Sequence, residues 1–299
     1  MHKPKAAAHD SNLLSRIKVL AVLAMFSDDD LLELLVLKGG NAMTLVHQIS
    51  ARASVDLDFS LKQDFDDELE SVRTRIEKTL SDTFRANGFE VFDLRMMERP
   101  KAITADMKDF WGGYAVEFKL ATAQVYVAHS DDLEKLRRLA INLGQGTKFL
   151  MDISRFEYIE DKQDVEFEGT VIYVYSPLMI VCEKLRAICQ QMPEYGPIIK
   201  RDRAGTARPK DFVDILVLTK ALDLDLTGEH MQRTLTAMFD VKKVPLALLG
   251  QIRRSYEFHR AGFSSVADTV SPDFDLKEFD FYFNYVLDLV DRLKPTWDK

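Results

Sequence analysis

Leu34-Leu35-Val36-Leu37-Lys38-Gly39-Gly40-Asn41 and Ser54-Val55-Asp56-Leu57-Asp58-Phe59-Ser60-Leu61 carry the most structural information in this chain. The first is a short apolar run closed by a lysine and two glycines, which predicts a buried strand and a tight turn. Ala42 to Ile49 then reads as a helix. The second segment alternates. Val55, Leu57, Phe59 and Leu61 share one face of an expected strand, and Ser54, Asp56, Asp58 and Ser60 the other.

That alternation has a chemical consequence. Residues i and i+2 of a strand leave the same face about 6–7 Å apart. Two carboxylates so placed repel each other, and burying them unpaired is costly. A hard divalent cation such as Mg²⁺ resolves the conflict, because it takes oxygen ligands and often binds through one or two carboxylates plus substrate phosphates. Two solvated acids on an open sheet face fit the same pattern equally well. Gly39-Gly40 lies 56 − 40 = 16 residues earlier, at the expected strand-to-helix turn. Glycines there let the backbone approach a ligand, and the following helix offers its first amides to phosphate; a plain tight turn needs the same residues. Asn41 falls at the helix start, where it caps the helix or touches phosphate.

Outward from this centre, Leu13 to Phe26 reads as a helix, Phe65 to Gly88 as a long amphipathic helix, and Phe89 to Met97 as a strand. Tyr114 to Tyr126 alternates as a strand, Asp131 to Leu143 reads as a helix, and Lys148 to Ser154 as a strand carrying Asp152. Val171 to Tyr175 is a short strand, and Ser176-Pro177 is a strong helix start. A loop from Pro193 to Arg208 precedes a second helix opened by Pro209, and the remainder reads as mostly helical. The expected division is a sheet-bearing part, 1–175, and a helical part, 176–299.

Composition narrows the class. Of 299 residues 46% are hydrophobic and 29% charged, which excludes disordered, collagen-like and coiled-coil chains. Lys and Arg number 40 against 48 Asp and Glu, a net charge of −8, which disfavours a protein that coats nucleic acid non-specifically. Local basic clustering survives in Lys200, Arg201, Arg203, Arg208 and Lys210, with one acid, Asp202, among them. It suits an RNA backbone or a solvated loop. No apolar run approaches the ~20 residues of a membrane span. Cys182 and Cys189 lie two helical turns apart, on one helix face, and are not expected to bridge. A soluble cytoplasmic protein without a secretory signal is expected.

Four motifs in order carry a family resemblance. Lys38-Gly39-Gly40-Asn41-Ala42-Met43 and Arg52-x-Ser54-x-Asp56-Leu57-Asp58-Phe59 resemble the signature of the AbiEii-type nucleotidyltransferase toxins, within the DNA polymerase β-like superfamily. Glu183-Lys184-Leu185-Arg186-Ala187 is similar to the family's lysine-bearing helical motif, and Arg208-Pro209-Lys210-Asp211-Phe212-Val213-Asp214-Ile215 to its later Arg-Pro-x-Asp-x-x-Asp motif. The family usually has Thr or Ser where this chain has Asn41.

The resemblance implies an α/β (α+β) fold, a polymerase β-like core with a mixed sheet and a helical C-terminal domain. It implies catalytic Asp56, Asp58, Lys184 and Asp211, with Asp211 a base or orienter of the acceptor hydroxyl. Nucleotide contacts are expected from Lys38, Gly39, Gly40, Asn41, Arg52, Ser54 and Lys184. Mg²⁺ or Mn²⁺ is expected on Asp56 and Asp58, with Asp152 a third carboxylate that completes the metal site or serves as the base. The implied reaction is NMP transfer from an NTP to an acceptor hydroxyl, first of all at a tRNA 3′ end, by the toxin of a toxin–antitoxin or phage-defence pair whose antitoxin is encoded nearby. A protein or small-molecule acceptor, and a non-catalytic nucleotide- or RNA-binding module, are the competing readings.

Overall fold

The computed structural model describes residues 5–49, 52, 56–142, 146–271 and 273–298. Seven strands form one mixed sheet: β1 (Leu35–Lys38), β2 (Leu57–Leu61), β3 (Phe89–Arg99), β4 (Gly113–Thr122), β5 (Phe149–Ser154), β6 (Gln163–Phe167) and β7 (Thr170–Val174). Their order is β3-β4-β5-β2-β1-β7-β6. β1 runs parallel to β7 and β2 parallel to β5, while the other neighbours are antiparallel. The two segments quoted first therefore lie side by side near the middle of the sheet.

Position explains their composition. All four residues of β1 are buried, as a central strand covered on both faces requires. β2 begins at Leu57, not at Ser54: Asp56 sits in the bend before it, and 53–55 lie outside the described residues. Leu57, Phe59 and Leu61 enter the core as the alternation predicts. The opposite face is also covered, since Ser60 is buried and donates to the Tyr175 hydroxyl at 2.8 Å.

Helices α1 (Lys5–Met25), α2 (Asp29–Leu34) and α3 (Gly39–Asn41) flank the first strand, and α3 continues into a π-helical turn at Ala42–Val46. The long amphipathic helix is α4 (Leu69–Ala86); its Val72, Ile76, Leu80 and Phe84 are buried, and it packs against α1 and β3. Tyr114 to Tyr126 is not one strand. β4 ends at Thr122, whose hydroxyl accepts from the Val125 amide and starts α5 (Ala123–His129). The helix expected after it is shorter, α6 (Leu133–Leu139).

β6 had no counterpart in the sequence reading. It is a short edge strand in which Gln163, Asp164 and Glu166 are exposed; Val165 and Phe167 alternate with the acids and pack on the core, but two apolar residues in five give a weak strand signal. After β7 the described chain has no further strand. Ser176 caps α7 (Pro177–Cys189) by accepting from the Met179 amide, and Pro177 stands in the first turn. α7 packs on α8 (Pro209–Leu222) and α9 (Glu229–Asp240), with α10 (Tyr256–Arg260), α11 (Ser264–Ala267), α12 (Phe279–Arg292) and α13 (Lys294–Trp297) completing the chain. Cys182 and Cys189 are buried, unbridged and part of a core continuous through strands and helices. No described helix is long and apolar enough to cross a membrane.

Candidate active site

Strand register creates the centre of the site. Lys38 of β1 is paired with Asp58 of β2, and Asp58 with Asp152 of β5. Residues directly opposite one another project from the same face, so one cation and two carboxylates form a row across three strands. The glycine turn closes on this row. Gly39 has φ +70°, and a Cβ there would lie 2.7 Å from Asp58 Oδ2. Both facts demand glycine: the left-handed region is unfavourable for other residues by about 1–2 kcal/mol, and a methyl group would displace the carboxylate. Gly39→Ala is therefore expected to destabilise the fold by about 1–3 kcal/mol and to lower transfer by about tenfold or more, readable from thermal melts and initial rates.

The carboxylates strain against their surroundings. Burial pushes the Asp58 carboxyl up to about 7; Lys38 opposes this, while Glu183, Asp152 and Asp56 add to it. Burial also raises Asp152, with Arg99 opposing and Asp56 reinforcing. Partial desolvation raises the Asp56 carboxyl, with Lys18, Arg99 and Lys210 opposing. Among the described residues, no three carboxylates, histidines or cysteines close into a metal cage. An open platform of acids that oppose one another's charge nonetheless suits Mg²⁺, which keeps waters and substrate phosphates in its shell.

A buried ionic cluster supports the row. Lys38 Nζ lies 3.0 Å from Glu183 and 3.6 Å from Glu157 and donates to Ser154 Oγ at 3.1 Å. Glu157 also meets Arg186 at 2.8 Å and Lys242 at 3.3 Å. Burial alone would raise the Glu157 carboxyl, but Arg186, Lys242 and Lys38 hold it below the usual range. Burial outweighs Glu157 at Lys242 and lowers that ammonium to about 8.

A second chain of charges joins the helices. Arg52 donates from Nε and Nη2 to the two oxygens of Asp214, at 2.9 and 2.6 Å. Lys184 Nζ bonds to Asp214 at 2.7 Å and to Asp211 at 3.2 Å, and Asp211 also pairs with Arg208. Burial would raise Asp211, yet Arg208 and Lys184 hold its carboxyl well below the ordinary range. Both clusters face one open cavity of about 1420 Å³, lined also by Gly39, Gly40, Asp58 and Asp152.

The model of the AbiEii nucleotidyl transferase toxin of type IV toxin–antitoxin systems matches residues 21–285. The chain belongs to this family. It is a nucleotidyltransferase toxin with a mixed α/β fold, and its family implies an antitoxin partner. MenT4, a nucleotidyltransferase toxin from Mycobacterium tuberculosis H37Rv, shares the fold with TM-score 0.51 and 14% identity, over 99% of this chain and 90% of that one. JHP933 from Helicobacter pylori matches with TM-score 0.46 and 16% identity, over 99% and 95% of the two chains. None of the curated proteins matches the sequence significantly.

In the toxin, the glycine turn, Lys38, Arg52, Asp58, Asp152, Lys184 and Asp211 come together at the cavity. Asn41 does not: it is buried, and its side-chain amide donates to the Asp56 carbonyl at 2.5 Å, so it holds the Asp56 bend instead of reaching a phosphate. Asp56 is exposed in that bend, outside the cavity lining. Ser54 lies outside the described residues. Lys184, expected as a phosphate-binding charge, is locked between Asp211 and Asp214. Asp211, expected as a base, has one oxygen on Lys184 and the other on Arg208. The basic stretch stays mostly at the surface: Lys200 forms an exposed pair with Asp106 at 2.8 Å, Arg203 is exposed, and Arg201 alone folds back, donating to the Gln190 and Met192 carbonyls.

The sequence names Arg186 only within the lysine-bearing motif, and nothing in it joins Arg186 and Lys242 to Glu157. Glu157 follows β5, Arg186 lies on α7, and Lys242 follows α9, so no spacing connects them. A buried acid matched by several distant cations leaves no local pattern.

Proposed function

We propose that this toxin transfers NMP from an NTP to the 3′ end of tRNA in the cytoplasm, and that the Asp58–Gly39 contact on the cavity wall marks where the triphosphate lies. That contact carries the reading: a backbone turn that tolerates no side chain sits against a strained carboxylate on an open cavity. Asp58 would hold Mg²⁺ or Mn²⁺, with Asp56 and Asp152 as its neighbours. When bound, the ion neutralises charge on the triphosphate.

The chain's own groups do the rest. The Gly39–Gly40 turn brings backbone amides to the phosphates. Lys184, Arg52 and Arg208 outnumber Asp211 and Asp214, three positive charges against two, and leave a net positive wall for the anion. The acceptor hydroxyl oxygen attacks the α-phosphorus, the bond to the β-phosphate oxygen breaks, and pyrophosphate leaves. Asp152, with 37% of its side chain exposed and an ion pair to Arg99 at 3.7 Å, takes the hydroxyl proton. Asp211 is unsuited to that task because both its oxygens are engaged. Asp152→Asn is expected to lower kcat about 10²-fold with little change in the NTP dissociation constant, measured by single-turnover kinetics and equilibrium binding.

The deciding experiment incubates the purified protein with α-labelled NTPs, total cell RNA and total cell protein, with and without EDTA. Label in tRNA that disappears with chelation supports the proposal. Label in protein or in a small molecule moves the acceptor elsewhere, and transfer that survives exhaustive chelation overturns the metal. Growth arrest on expression, relieved by a neighbouring antitoxin gene, is the cellular counterpart.

A further inference from the structure

The Asp58–Gly39 contact accounts for one part of the catalytic cavity, and α7 forms a wall that leads away from it. α7 is buried almost throughout. Beyond Pro177 only Glu183 and Ala187 keep partial exposure, followed by the helix cap Gln190. Positions i, i+4 and i+7 share one helix face, and all three residues line the cavity. Lys184, on the side assigned to the phosphates, and Gln190 are 190 − 184 = 6 residues apart, which at the helical rise is about 9 Å. A nucleotide held by its triphosphate at the Gly39–Gly40 turn must place its ribose and base along a wall of this kind.

The Gln190 end of the wall differs in chemistry from the ionic clusters. Ala187 leaves space, and Trp111 and Ile199, both half-buried, line the same cavity. Trp111 and Tyr114 are the aromatic residues of that lining among the described residues. Tyr114 is buried, and its hydroxyl donates to Asp64 at 2.6 Å, so Trp111 is the ring left open to a ligand. Its position is fixed from behind: Tyr195 meets it edge-on at 6.1 Å, and Lys242 Nζ lies 5.8 Å from its centroid. Gln190 donates from Nε2 to the Tyr195 hydroxyl at 3.5 Å, while its oxygen accepts no hydrogen bond among the described residues. That oxygen and the Trp111 indole N–H are not among the atoms closed off from solvent, and they offer an acceptor and a donor beside the ring. The ligand's class comes from the reaction: the substrate of a nucleotidyltransferase carries a base, and this wall supplies the aromatic surface on which every base can stack.

We propose that Trp111 stacks on the base of the bound nucleotide and that Gln190 reads the polar edge of that base, with the ribose passing Ala187. The inference rests on the triphosphate site at Asp58 and Gly39 and deepens it, because this end of the cavity then sets which NTP is used.

The chain has two tryptophans. Trp297 packs against Gly250, donates to the Val290 carbonyl at 2.9 Å and does not line the cavity, so Trp297→Phe leaves Trp111 as the one indole. In that protein each non-hydrolysable NTP, added with Mg²⁺, is expected to quench the emission and to saturate at the dissociation constant measured by calorimetry. Inorganic tripolyphosphate, which has no base, binds without quenching. Trp111→Ala in the parent chain is expected to weaken NTP binding about tenfold, Trp111→Phe to restore most of that loss, and tripolyphosphate affinity to change by less than about twofold in both. Gln190→Leu evens out the affinities of the four NTPs. NTP binding that leaves the Trp111 emission unchanged, or an equal loss of NTP and tripolyphosphate affinity in Trp111→Ala, overturns the base site while the triphosphate site stands. An unaltered order of NTP preference in Gln190→Leu overturns the part given to the amide. A parent protein that binds neither ligand overturns the base site and the triphosphate site together.

Discussion

Asp58→Asn is expected to cut NMP transfer by about 10³-fold or more while leaving the melting temperature unchanged or raised. The two halves of this outcome have one cause. Asp58 is half-buried beside Gly39, and Glu183, Asp152 and Asp56 all repel its charge. Neutralising it relieves desolvation and repulsion, and Lys38 keeps Glu183 and Glu157 as partners. The same change removes the carboxylate assigned to the metal, which provides several kcal/mol of charge stabilisation, about 10³-fold at 4 kcal/mol. Pyrophosphate release and a thermal melt on one preparation measure both. An ordinary structural acid behaves in the opposite way, losing stability and retaining activity; that pattern in Asp58→Asn removes the residue from the site.

Lys184→Met is expected to destabilise the protein by about 3–5 kcal/mol, the cost of leaving buried charge without its partner. Lys184 Nζ is the shared partner of Asp211 and Asp214, and burial, which alone would lower this ammonium, is outweighed by the two aspartates. At roughly 2–4 °C per kcal/mol for a chain of this size, the melting point drops by about 10 °C. Loss of toxicity in a lysine variant therefore reports folding before it reports chemistry. Urea denaturation beside the activity assay separates the two: a Lys184→Met protein as stable as the parent but inactive transfers the lysine from scaffold to substrate contact.

Much of this was readable along the chain, because the decisive signals are local. The apolar run before Gly39-Gly40, the alternation from Leu57 to Leu61 and the Ser-Pro start at 176–177 each specify an element through its own residues. The Asp58–Gly39 meeting was expected from the order of strand, turn and strand, and the antiparallel pairing of β1 with β2 brings it about. Elements without local contrast were missed. β6 is a five-residue edge with two apolar residues, too short for its alternation to stand out, and the alternation of β4 continues past Thr122 into a helix capped by that same threonine. Residue roles changed where tertiary partners decide them. Asp214, a turn beyond Asp211 on α8, is readable as a partner of Lys184 or Arg208, but that both aspartates close around one ammonium is decided by packing between α7 and α8. Nothing near Glu157 announces Lys38, Arg186 and Lys242.

A crystal structure of the toxin with a non-hydrolysable NTP and Mn²⁺ bears most directly on the Asp58–Gly39 site. An anomalous manganese peak against the Asp58 carboxylate, with the triphosphate along the Gly39–Gly40 backbone, is the expected result. A triphosphate bound away from that turn, with no metal at Asp58, contradicts it.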